Sequence, residues 1–171
     1  MKAKAVFFDR DGVLDEDVGY LYKIEDLRWL DGAKEAVAYL TALGYKIFIV
    51  TNQSGIARGY YTVAEMNKLH EYMLGELKAS GGKVEKVYYC PHYKEGSVKE
   101  YSIDCDCRKP KPGMILRAFR EFGLDKEHSF LIGDGARDVE AAETAGIRGY
   151  RFQGGSLLAF VKECLKKEAA Y

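Results

Sequence analysis

Short apolar stretches alternate along most of the chain with longer stretches in which apolar residues recur every three or four positions. The short stretches are rich in β-branched and aromatic residues, which is typical of buried strands. They cover residues 5–8, 46–50, 84–89, 129–132 and 149–152. Five strands are therefore predicted.

The longer stretches predict amphipathic helices, because their apolar residues fall on one helix face. They cover residues 31–43, 62–79, 112–122 and 136–145, and a last one begins at 157. Gly44 is a stop signal for the first helix, Thr62 and Glu65 form a capping box at the start of the second, and Pro112 suits the first position of the third. The alternation predicts an α/β fold, a doubly wound parallel sheet with helices on both faces. Residues 1–171 are expected to form one domain.

Composition and charge narrow the possible partners. The chain has 171 residues, with 26 lysines and arginines against 26 aspartates and glutamates, so its net charge is zero. Electrostatics therefore favours neither nucleic acid nor a membrane surface, and no apolar run approaches the ~18 residues of a membrane span. The first strand lies so close to Met1 that a cleaved signal peptide would remove the acids behind it. We expect a cytoplasmic monomer with neither nucleic-acid nor membrane partners.

Two aspartates, Asp9 and Asp11, come directly after the first predicted strand and are followed by Gly12. Open α/β sheets bind ligands at this end of their strands. Carboxylates so close together repel each other unless a cation lies between them, and Mg²⁺ is a hard ion that prefers carboxylate oxygens. Asp9 could then attack phosphorus while Asp11 transfers protons. Two solvated turn residues are the alternative interpretation.

Three later segments carry matching chemistry. Residues 51–55, Thr-Asn-Gln-Ser-Gly, offer hydroxyl and amide donors for one phosphate. Arg108 and Lys109 lie just before the third helix and supply fixed positive charge. Asp134 follows the fourth strand and adds a third carboxylate for the metal. Together these strand ends predict a site for phosphoryl transfer.

The order of these motifs, DxDG, TNQSG, RKPKPG and GDxxxD, resembles the haloacid dehalogenase superfamily of phosphatases that use an aspartate nucleophile. Longer strings at residues 17–20, 51–59, 89–92 and 105–110 resemble its branch of heptose bisphosphate phosphatases and histidinol phosphatases. The resemblance implies a Rossmann-like core and a Mg²⁺-dependent phosphomonoester hydrolase that forms an aspartyl phosphate. It also implies that Arg108 and the loop from Asp17 to Tyr20 contact the substrate beyond the reacting phosphate.

Individual roles follow from this placement. Asp9 is expected to attack phosphorus, and Asp11 to protonate the leaving oxygen and then deprotonate water. The expected Mg²⁺ ligands are Asp9, the backbone carbonyl of Asp11, and Asp134. The expected catalytic residues are Asp9, Asp11, Thr51 and Lys109. The expected substrate-binding residues are Asp17, Gly19, Tyr20, Thr51, Asn52, Gln53, Ser54, Arg108 and Lys109.

Three of the four cysteines cluster with a histidine. Cys90, His92, Cys105 and Cys107 offer three thiolates and one imidazole, which is the donor set of a closed tetrahedral zinc site. A disulfide framework would leave one of the three cysteines unpaired. We expect structural Zn²⁺ to order a loop at about residues 90–111, without a catalytic role, because four protein ligands leave no position for water.

Neither usual insertion point for a cap domain is long enough to hold one. Only 18 residues separate Gly12 from Asp31, and Gly59 lies almost directly before the second helix. A site roofed by loops leaves room for an extended sugar phosphate, so heptose 1,7-bisphosphate, hydrolysed at C7, is the first substrate prediction and histidinol phosphate the second. The chain departs from relatives at Gly135, where they commonly carry lysine, and Arg137 could compensate.

Two other classes of protein fit parts of the pattern. Phosphate-accepting receiver domains are α/β proteins of similar length with acids after the first strand. Their acceptor aspartate follows a later strand, where this chain has Cys90 and His92, and they carry no zinc ligands. A zinc-stabilised nucleic-acid end phosphatase conflicts with the zero net charge.

Three other reactive side chains receive structural interpretations. His70 is expected on the outer part of its helix and His128 before a strand, both as surface or capping groups. Cys164, in the last helix, is expected to be a small core residue.

Overall fold

The computed structural model describes residues 1–171 and contains five strands that alternate with five α-helices. The strands are β1 Lys4–Phe8, β2 Lys46–Asn52, β3 Val84–Cys90, β4 Asp125–Gly133 and β5 Arg148–Arg151. The helices are α1 Ala33–Ala42, α2 Val63–Ala79, α3 Gly113–Phe122, α4 Ala136–Ala145 and α5 Leu157–Glu168. The predicted element types and their order are confirmed.

All strand pairs are parallel, and the order across the sheet is β3-β2-β1-β4-β5. The chain moves outward from β1 in one direction and then returns to place β4 on the other side of β1. A crevice forms at such a reversal, beyond the carboxyl ends of the strands. Phe8 pairs with Ile49 of β2 and Ile132 of β4, so the residues that follow these three strands meet at one edge.

The sheet is covered on both faces, as predicted for a doubly wound α/β fold. Alternate strand residues point to opposite sides, and each side forms its own buried cluster. Val6 and Phe8 pack with α1, α5 and Leu77 of α2, whereas Ala5 and Phe7 pack with α3 and α4. Burial on both faces explains why the strands read as continuous apolar runs.

Most predicted boundaries lie within two residues of the observed ones. Thr62 caps α2 through the expected capping box, with Glu65 N–H donating to its hydroxyl at 3.1 Å. Two predictions are corrected. Pro112 precedes α3 as its N-cap and is not its first residue, and β4 begins at Asp125, earlier than the apolar pattern indicated.

The connecting segments leave the carboxyl edge of the sheet open. Between β1 and α1 the only regular helix is a 3-10 turn, Ile24–Asp26, and residues 53–62 between β2 and α2 contain no helix or strand. Neither segment holds a cap domain, which confirms the prediction. No helix combines the length and apolar character that a membrane crossing requires.

Candidate active site

Asp9 occupies the carboxyl end of the central strand. Its backbone N–H donates to the carbonyl of Ile132 in β4 at 3.0 Å. Its Oδ1 accepts two hydrogen bonds, from the backbone N–H of Arg10 and from Nζ of Lys109, each at 2.9 Å. Burial raises the pKa of Asp9 to about 7, although the Lys109 ammonium acts in the opposite direction. Both donors bind Oδ1, which leaves Oδ2 open to a ligand.

Two further carboxylates converge on Asp9. Asp134 follows β4, Asp138 lies in the first turn of α4, and each of the three acids places one oxygen within 4.8 Å of the others. Acids at this separation repel one another, and a hard divalent cation removes that repulsion. This donor set fits Mg²⁺. The structure brings two of the predicted ligands, Asp9 and Asp134, together.

Gly12 makes the close approach of these groups possible. Its φ is +86°, and a Cβ at this position would lie 2.1 Å from Oδ2 of Asp134. A side chain here would therefore displace the carboxylate. The carbonyl oxygen of the preceding residue, Asp11, accepts no backbone hydrogen bond, so it is available as a further oxygen donor.

Lys109 brings a buried positive charge into this group of acids. Only 3% of the residue is exposed. Its Nζ lies 2.9 Å from Oδ1 of Asp9, 2.7 Å from Oδ1 of Asp138 and 2.7 Å from the carbonyl of Val50. An ammonium buried so deeply stays charged only beside acids. Burial acts to lower the pKa of Lys109, but Asp9 and Asp138 flank the ammonium and raise this pKa above its ordinary value.

The main chain of Lys109 is held by Asn52, the last residue of β2. The side-chain Oδ1 of Asn52 accepts from the N–H of Lys109 at 3.0 Å, and its Nδ2 donates to the carbonyl of the same residue at 3.1 Å. One amide side chain thus satisfies both backbone groups of Lys109. Asn52 reaches the cavity as predicted, and it fixes the lysine as well.

The carboxylate of Asp11 does not belong to the three-acid group and is bound by Arg10. Nε and Nη2 of Arg10 lie 3.1 Å and 2.9 Å from Oδ1 of Asp11, and Nη2 lies 3.1 Å from Oδ2. Gln53 Nε2 approaches Oδ2 at 3.3 Å. Arg10 itself is fully buried. The guanidinium therefore sets the direction of the Asp11 side chain.

Thr51 lies deeper than the sequence indicated. Its hydroxyl oxygen accepts a hydrogen bond from Gln53 Nε2 at 2.8 Å, and Gln53 Oε1 accepts one from the hydroxyl of Tyr61. Thr51 is buried and does not line the cavity. A direct contact between Thr51 and phosphate stays a prediction.

The prediction for His70 is wrong. His70 is buried, with 6% of the residue exposed, and its Nε2 lies 3.0 Å from Nη1 of Arg10. It occupies the inner face of α2 together with Met66, Leu69 and Met73. His128, in contrast, is an exposed surface group as expected, although it lies within β4 and not before a strand. Cys164 is a buried core residue as expected.

A polar cavity of about 360 Å³ opens above these groups. Of its 14 lining residues only 2 are hydrophobic, and four acids face four bases. The predicted site residues on its wall are Asp9, Asp11, Asp17, Gly19, Tyr20, Asn52, Gln53, Ser54, Arg108, Lys109 and Asp134. The remaining three are Arg58, Tyr61 and Arg137. A space of this polarity suits a small, highly charged ligand.

Aromatic rings and guanidinium groups pack together at the rim of the cavity. Tyr20, whose φ of 56° is rare for a bulky residue, meets Tyr60 edge to face at 4.8 Å. The guanidinium carbon of Arg58 lies 3.9 Å from the centre of the Tyr93 ring, and that of Arg108 lies 5.3 Å from the same ring. Cation–π contacts hold the two arginines in place at the open side of the cavity.

Cys90, His92, Cys105 and Cys107 meet as the spacing predicted. Sulfur and nitrogen atoms bound to one tetrahedral Zn²⁺ are about 3.4 to 3.8 Å apart, given metal–ligand bonds of 2.0 to 2.3 Å. Four of the measured separations, between 3.4 and 3.7 Å, agree with this value. The Cys90–Cys107 pair is closer, at 2.9 Å. The donor set fits Zn²⁺, and Cys107 is bonded directly to Arg108.

Sequence reasoning missed four of the residues that build this site. Asp138 is the second acid of the GDxxxD motif, so the motif itself indicates a site residue at this position. Arg58 lies in the string at residues 51–59, which resembles the phosphatase branch, but the sequence gives it no role of its own. Arg10 was hidden between the two aspartates of DxDG, and Tyr61 carried no signal.

A family model described as haloacid dehalogenase-like hydrolase matches residues 15–146. A curated relative from Rhodopseudomonas palustris, D-glycero-beta-D-manno-heptose-1,7-bisphosphate 7-phosphatase, is 46% identical over 94% of this chain and 89% of its own length. The D-glycero-alpha-D-manno-heptose-1,7-bisphosphate 7-phosphatase of Campylobacter jejuni is 49% identical over 86% of this chain and 80% of its own.

Solved structures are similar over almost the entire chain. The D,D-heptose 1,7-bisphosphate phosphatase from B. bronchiseptica, complexed with magnesium and phosphate, superposes with a TM-score of 0.84 at 30% identity and covers 96% of this chain and 99% of its own. A HAD-like phosphatase from Mesorhizobium loti superposes with a TM-score of 0.86 at 28% identity, with coverage of 98% and 88%.

Proposed function

The chain belongs to the haloacid dehalogenase-like hydrolases and is a phosphatase, and we propose that it removes the C7 phosphate of D-glycero-D-manno-heptose 1,7-bisphosphate. The main support for this chemistry is one observation: Asp9, Asp134 and Asp138 converge at the end of the central strand, and the buried Lys109 pairs with Asp9 and Asp138. A phosphoryl group in transfer needs a nucleophile, a metal site and fixed positive charge, and this arrangement supplies all three.

In the first half-reaction Asp9 forms a bond to phosphorus through Oδ2, the oxygen without a hydrogen-bond donor. The bond between phosphorus and the C7 oxygen of the sugar breaks. Asp11 donates its proton to that leaving oxygen, and the products are the sugar alcohol and an aspartyl phosphate.

In the second half-reaction a water molecule attacks the phosphorus of the aspartyl phosphate. Asp11, now ionised, takes a proton from that water, and the bond between phosphorus and Asp9 breaks. Inorganic phosphate leaves, Asp9 is a carboxylate again, and Asp11 is again protonated. Lys109 keeps its positive charge beside the phosphoryl oxygens throughout and stabilises the negative charge that develops on them.

Mg²⁺ would be held by Asp9, Asp134 and the backbone carbonyl of Asp11, with Asp138 adjacent. When bound, it supplies Lewis acidity toward a phosphoryl oxygen and offsets the repulsion among the acids. The zinc site proposed at Cys90, His92, Cys105 and Cys107 is structural. It would fix the loop that carries Arg108 at the rim of the cavity.

The rest of the substrate would occupy the outer part of the cavity. Arg58, Arg108 and Arg137 line this volume and can meet a second phosphate, whereas Asp17 and Tyr20 are available to sugar hydroxyl groups. Arg137 lies in α4, two residues beyond Gly135, where it can supply the charge of the lysine that relatives carry. The curated relatives described above are named for the alpha or the beta anomer, so the proposal covers both.

Neither histidinol phosphate as the substrate nor a receiver-like module is favoured. The reported relatives carry heptose names, which makes histidinol phosphate the weaker substrate candidate. A receiver-like module is disfavoured by family membership. A cytoplasmic monomer remains our prediction from the sequence.

The proposal is tested by phosphate release from a panel that contains both anomers of the heptose bisphosphate, heptose 7-phosphate and histidinol phosphate. The bisphosphate should have a kcat/KM at least about tenfold above that of histidinol phosphate, because a site built for two phosphates loses binding when one is absent. Phosphorus NMR should show loss of the C7 phosphate with the C1 phosphate retained. Faster turnover of histidinol phosphate would contradict the substrate assignment.

The nucleophile is tested with Asp9→Asn. This variant should fold and lose its activity, because an amide oxygen does not form the covalent phosphate. Turnover within about tenfold of the unsubstituted protein would contradict the role of Asp9.

A further inference from the structure

Arg10 has an unusual environment for a charged side chain. It is fully buried, and three of its nitrogen atoms have acceptors at hydrogen-bond distance. Nε and Nη2 bind the carboxylate of Asp11, and Nη2 also donates to the carbonyl of Leu21 at 2.9 Å. Nη1 has one partner, the Nε2 atom of His70, at 3.0 Å. The guanidinium plane is therefore fixed from one side by His70 and from the other by Asp11.

The direction of the Arg10–His70 hydrogen bond is determined by chemistry. A guanidinium only donates, so Nε2 of His70 must be the acceptor and the ring proton must lie on Nδ1. Burial lowers the pKa of His70 to about 3, with the positive charge of Arg10 acting in the same direction. The imidazole is therefore neutral and remains able to accept.

A competing acceptor lies close by. Asp15 is fully buried, neither of its carboxylate oxygens has a hydrogen-bond partner, and Oδ2 lies 3.7 Å from Nε of Arg10. If His70 no longer accepted from Nη1, the guanidinium would have a buried N–H without a partner, next to the unsatisfied carboxyl group of Asp15, whose Oδ2 can accept from it after a rotation. Rotation toward Asp15 would then loosen the grip of Arg10 on Asp11.

We propose that His70 is a positioning residue, which keeps the guanidinium of Arg10 in the one orientation that directs the carboxyl group of Asp11 toward the leaving oxygen of the substrate. The inference rests on the proposed function, in which Asp11 donates a proton to that oxygen. His70 touches neither substrate nor phosphate in this scheme and acts only through Arg10.

The test measures how activity depends on the leaving group. A sugar or alkyl oxygen leaves poorly without a proton, whereas 2,4-dinitrophenolate leaves without one, so misplacement of the acid should slow only the first kind of substrate. The value of kcat/KM reports the steps up to release of the leaving group and excludes hydrolysis of the aspartyl phosphate. It is measured for heptose bisphosphate, a series of substituted phenyl phosphates and dinitrophenyl phosphate.

His70→Leu removes the acceptor, and His70→Gln keeps one that can reach Nη1. His70→Leu should lose about tenfold or more in kcat/KM for the sugar phosphate and less than about threefold for dinitrophenyl phosphate. His70→Gln should restore the leaving-group dependence of the unsubstituted protein. If His70→Leu does not fold, His70→Asn takes its place, since its shorter amide falls short of Nη1. Glu71→Gln, at the exposed neighbouring position on α2, is the control for substitution in this helix.

Two results would overturn the inference. One is an equal loss of kcat/KM in His70→Leu for all leaving groups, and the other is an equal loss in His70→Gln and His70→Leu. Asp11→Asn separates this failure from a failure of the proposed function. If Asp11→Asn leaves the leaving-group dependence unchanged, Asp11 is not the acid, and the role that the proposed function gives to Asp11 is wrong. If Asp11→Asn steepens it and the His70 variants do not, only the role of His70 is wrong.

Discussion

Nζ of Lys109 and Oδ1 of Asp9 form a buried ion pair at 2.9 Å, and the two residues come from segments 100 positions apart in the chain. Both are almost completely excluded from solvent. A charge removed from water in this way depends on its partner, so loss of either member affects both stability and chemistry.

Lys109→Met keeps the length of the side chain and removes its charge. Asp9 and Asp138 would then face each other without a cation, and we expect the free energy of unfolding in metal-free buffer to fall by about 3 to 5 kcal/mol. We also expect kcat to fall by about 10² to 10³, because a donor to the transferring phosphoryl group is lost. Chemical denaturation and initial rates measure the two effects.

Lys111→Met is the matched control for Lys109→Met. Lys111 belongs to the same loop, but it is half exposed, and its ammonium pairs with Asp104 and donates to the carbonyl of Cys105 at the surface. Such surface pairs contribute about 0 to 1 kcal/mol. Equal losses in the two variants would contradict a specific role for Lys109.

Asp138 is the least conspicuous acid of the site in the sequence. Asp138→Asn should raise the Mg²⁺ concentration needed for half-maximal activity by about 10 to 100-fold, since it removes a charge beside the metal ligands and a partner of Lys109. Glu140→Gln, on an exposed position of the same helix, should leave this concentration unchanged. Magnesium titrations of both variants after treatment with EDTA make the comparison. Activity of the unsubstituted protein that persists in EDTA would contradict the metal requirement itself.

The buried imidazole predicts a pH effect on stability. The pKa of His70 is about 3 in the folded protein, below its ordinary value of 6.5. Between these values the unfolded chain binds a proton that the folded chain does not, so His70 supports the folded state above pH 6.5 and this support is lost as the pH falls toward 3. One proton gives a slope of at most about 1.4 kcal/mol per pH unit.

His70→Gln should therefore lose stability less steeply than the unsubstituted protein between pH 6.5 and about 4. Urea unfolding at several pH values within this range provides the measurement. The raised pKa values of Asp9 and Asp15 act in the opposite direction in both proteins and cancel in the difference. Parallel stability curves would show that His70 does not resist protonation.

Much of the fold could be predicted because its elements are buried. β1 and the apolar part of β2 are covered on both faces, so their residues carry no polar interruption, and Thr62 with Glu65 marks the start of α2 through local hydrogen bonds alone. The first residues of β4 escaped prediction because 125–128 are polar. Their place in the sheet comes from pairing of Asp125 with Lys4, a contact that apolar periodicity does not detect.

The site residues that follow the strands could also be predicted from the sequence, because acids directly after apolar runs are easy to recognise. The buried residues beneath them, Arg10 and His70, could not be predicted. His70 follows Met66 by four positions and precedes Met73 by three, so it lies on the inner helix face, but a polar residue there is normally assigned to the surface. Only the fully buried Arg10 opposite explains its burial, and that contact joins residues 60 positions apart.

The cysteine cluster predicts a separation between binding and turnover. Cys107→Ala should lose bound zinc and raise KM by about tenfold or more, because Arg108 adjoins the cluster, whereas kcat should fall less because Lys109 is held independently by Asn52. Far-UV circular dichroism should stay close to that of the unsubstituted protein. Zinc analysis of the purified proteins checks the premise.

Cys164→Ala is the matched control for Cys107→Ala. Cys164 is a buried cysteine of α5, outside the cluster, and its removal should leave one zinc per chain and an unchanged KM. Absence of zinc from the unsubstituted protein would contradict the site, and full substrate affinity in zinc-free Cys107→Ala would contradict its effect on Arg108.

The side chain of Asn52 bonds the backbone of Lys109 in the way that a neighbouring strand would. With an acceptor for the N–H and a donor for the carbonyl, it reproduces the pair of bonds that two opposed residues exchange in a hydrogen-bonded antiparallel pair. The backbone of Lys109 is thus hydrogen-bonded to the edge of the sheet, although the residue belongs to a long loop. Its amide should exchange with deuterium at the slow rate of β2, even after chelation of zinc lets the amides of residues 93–104 exchange freely.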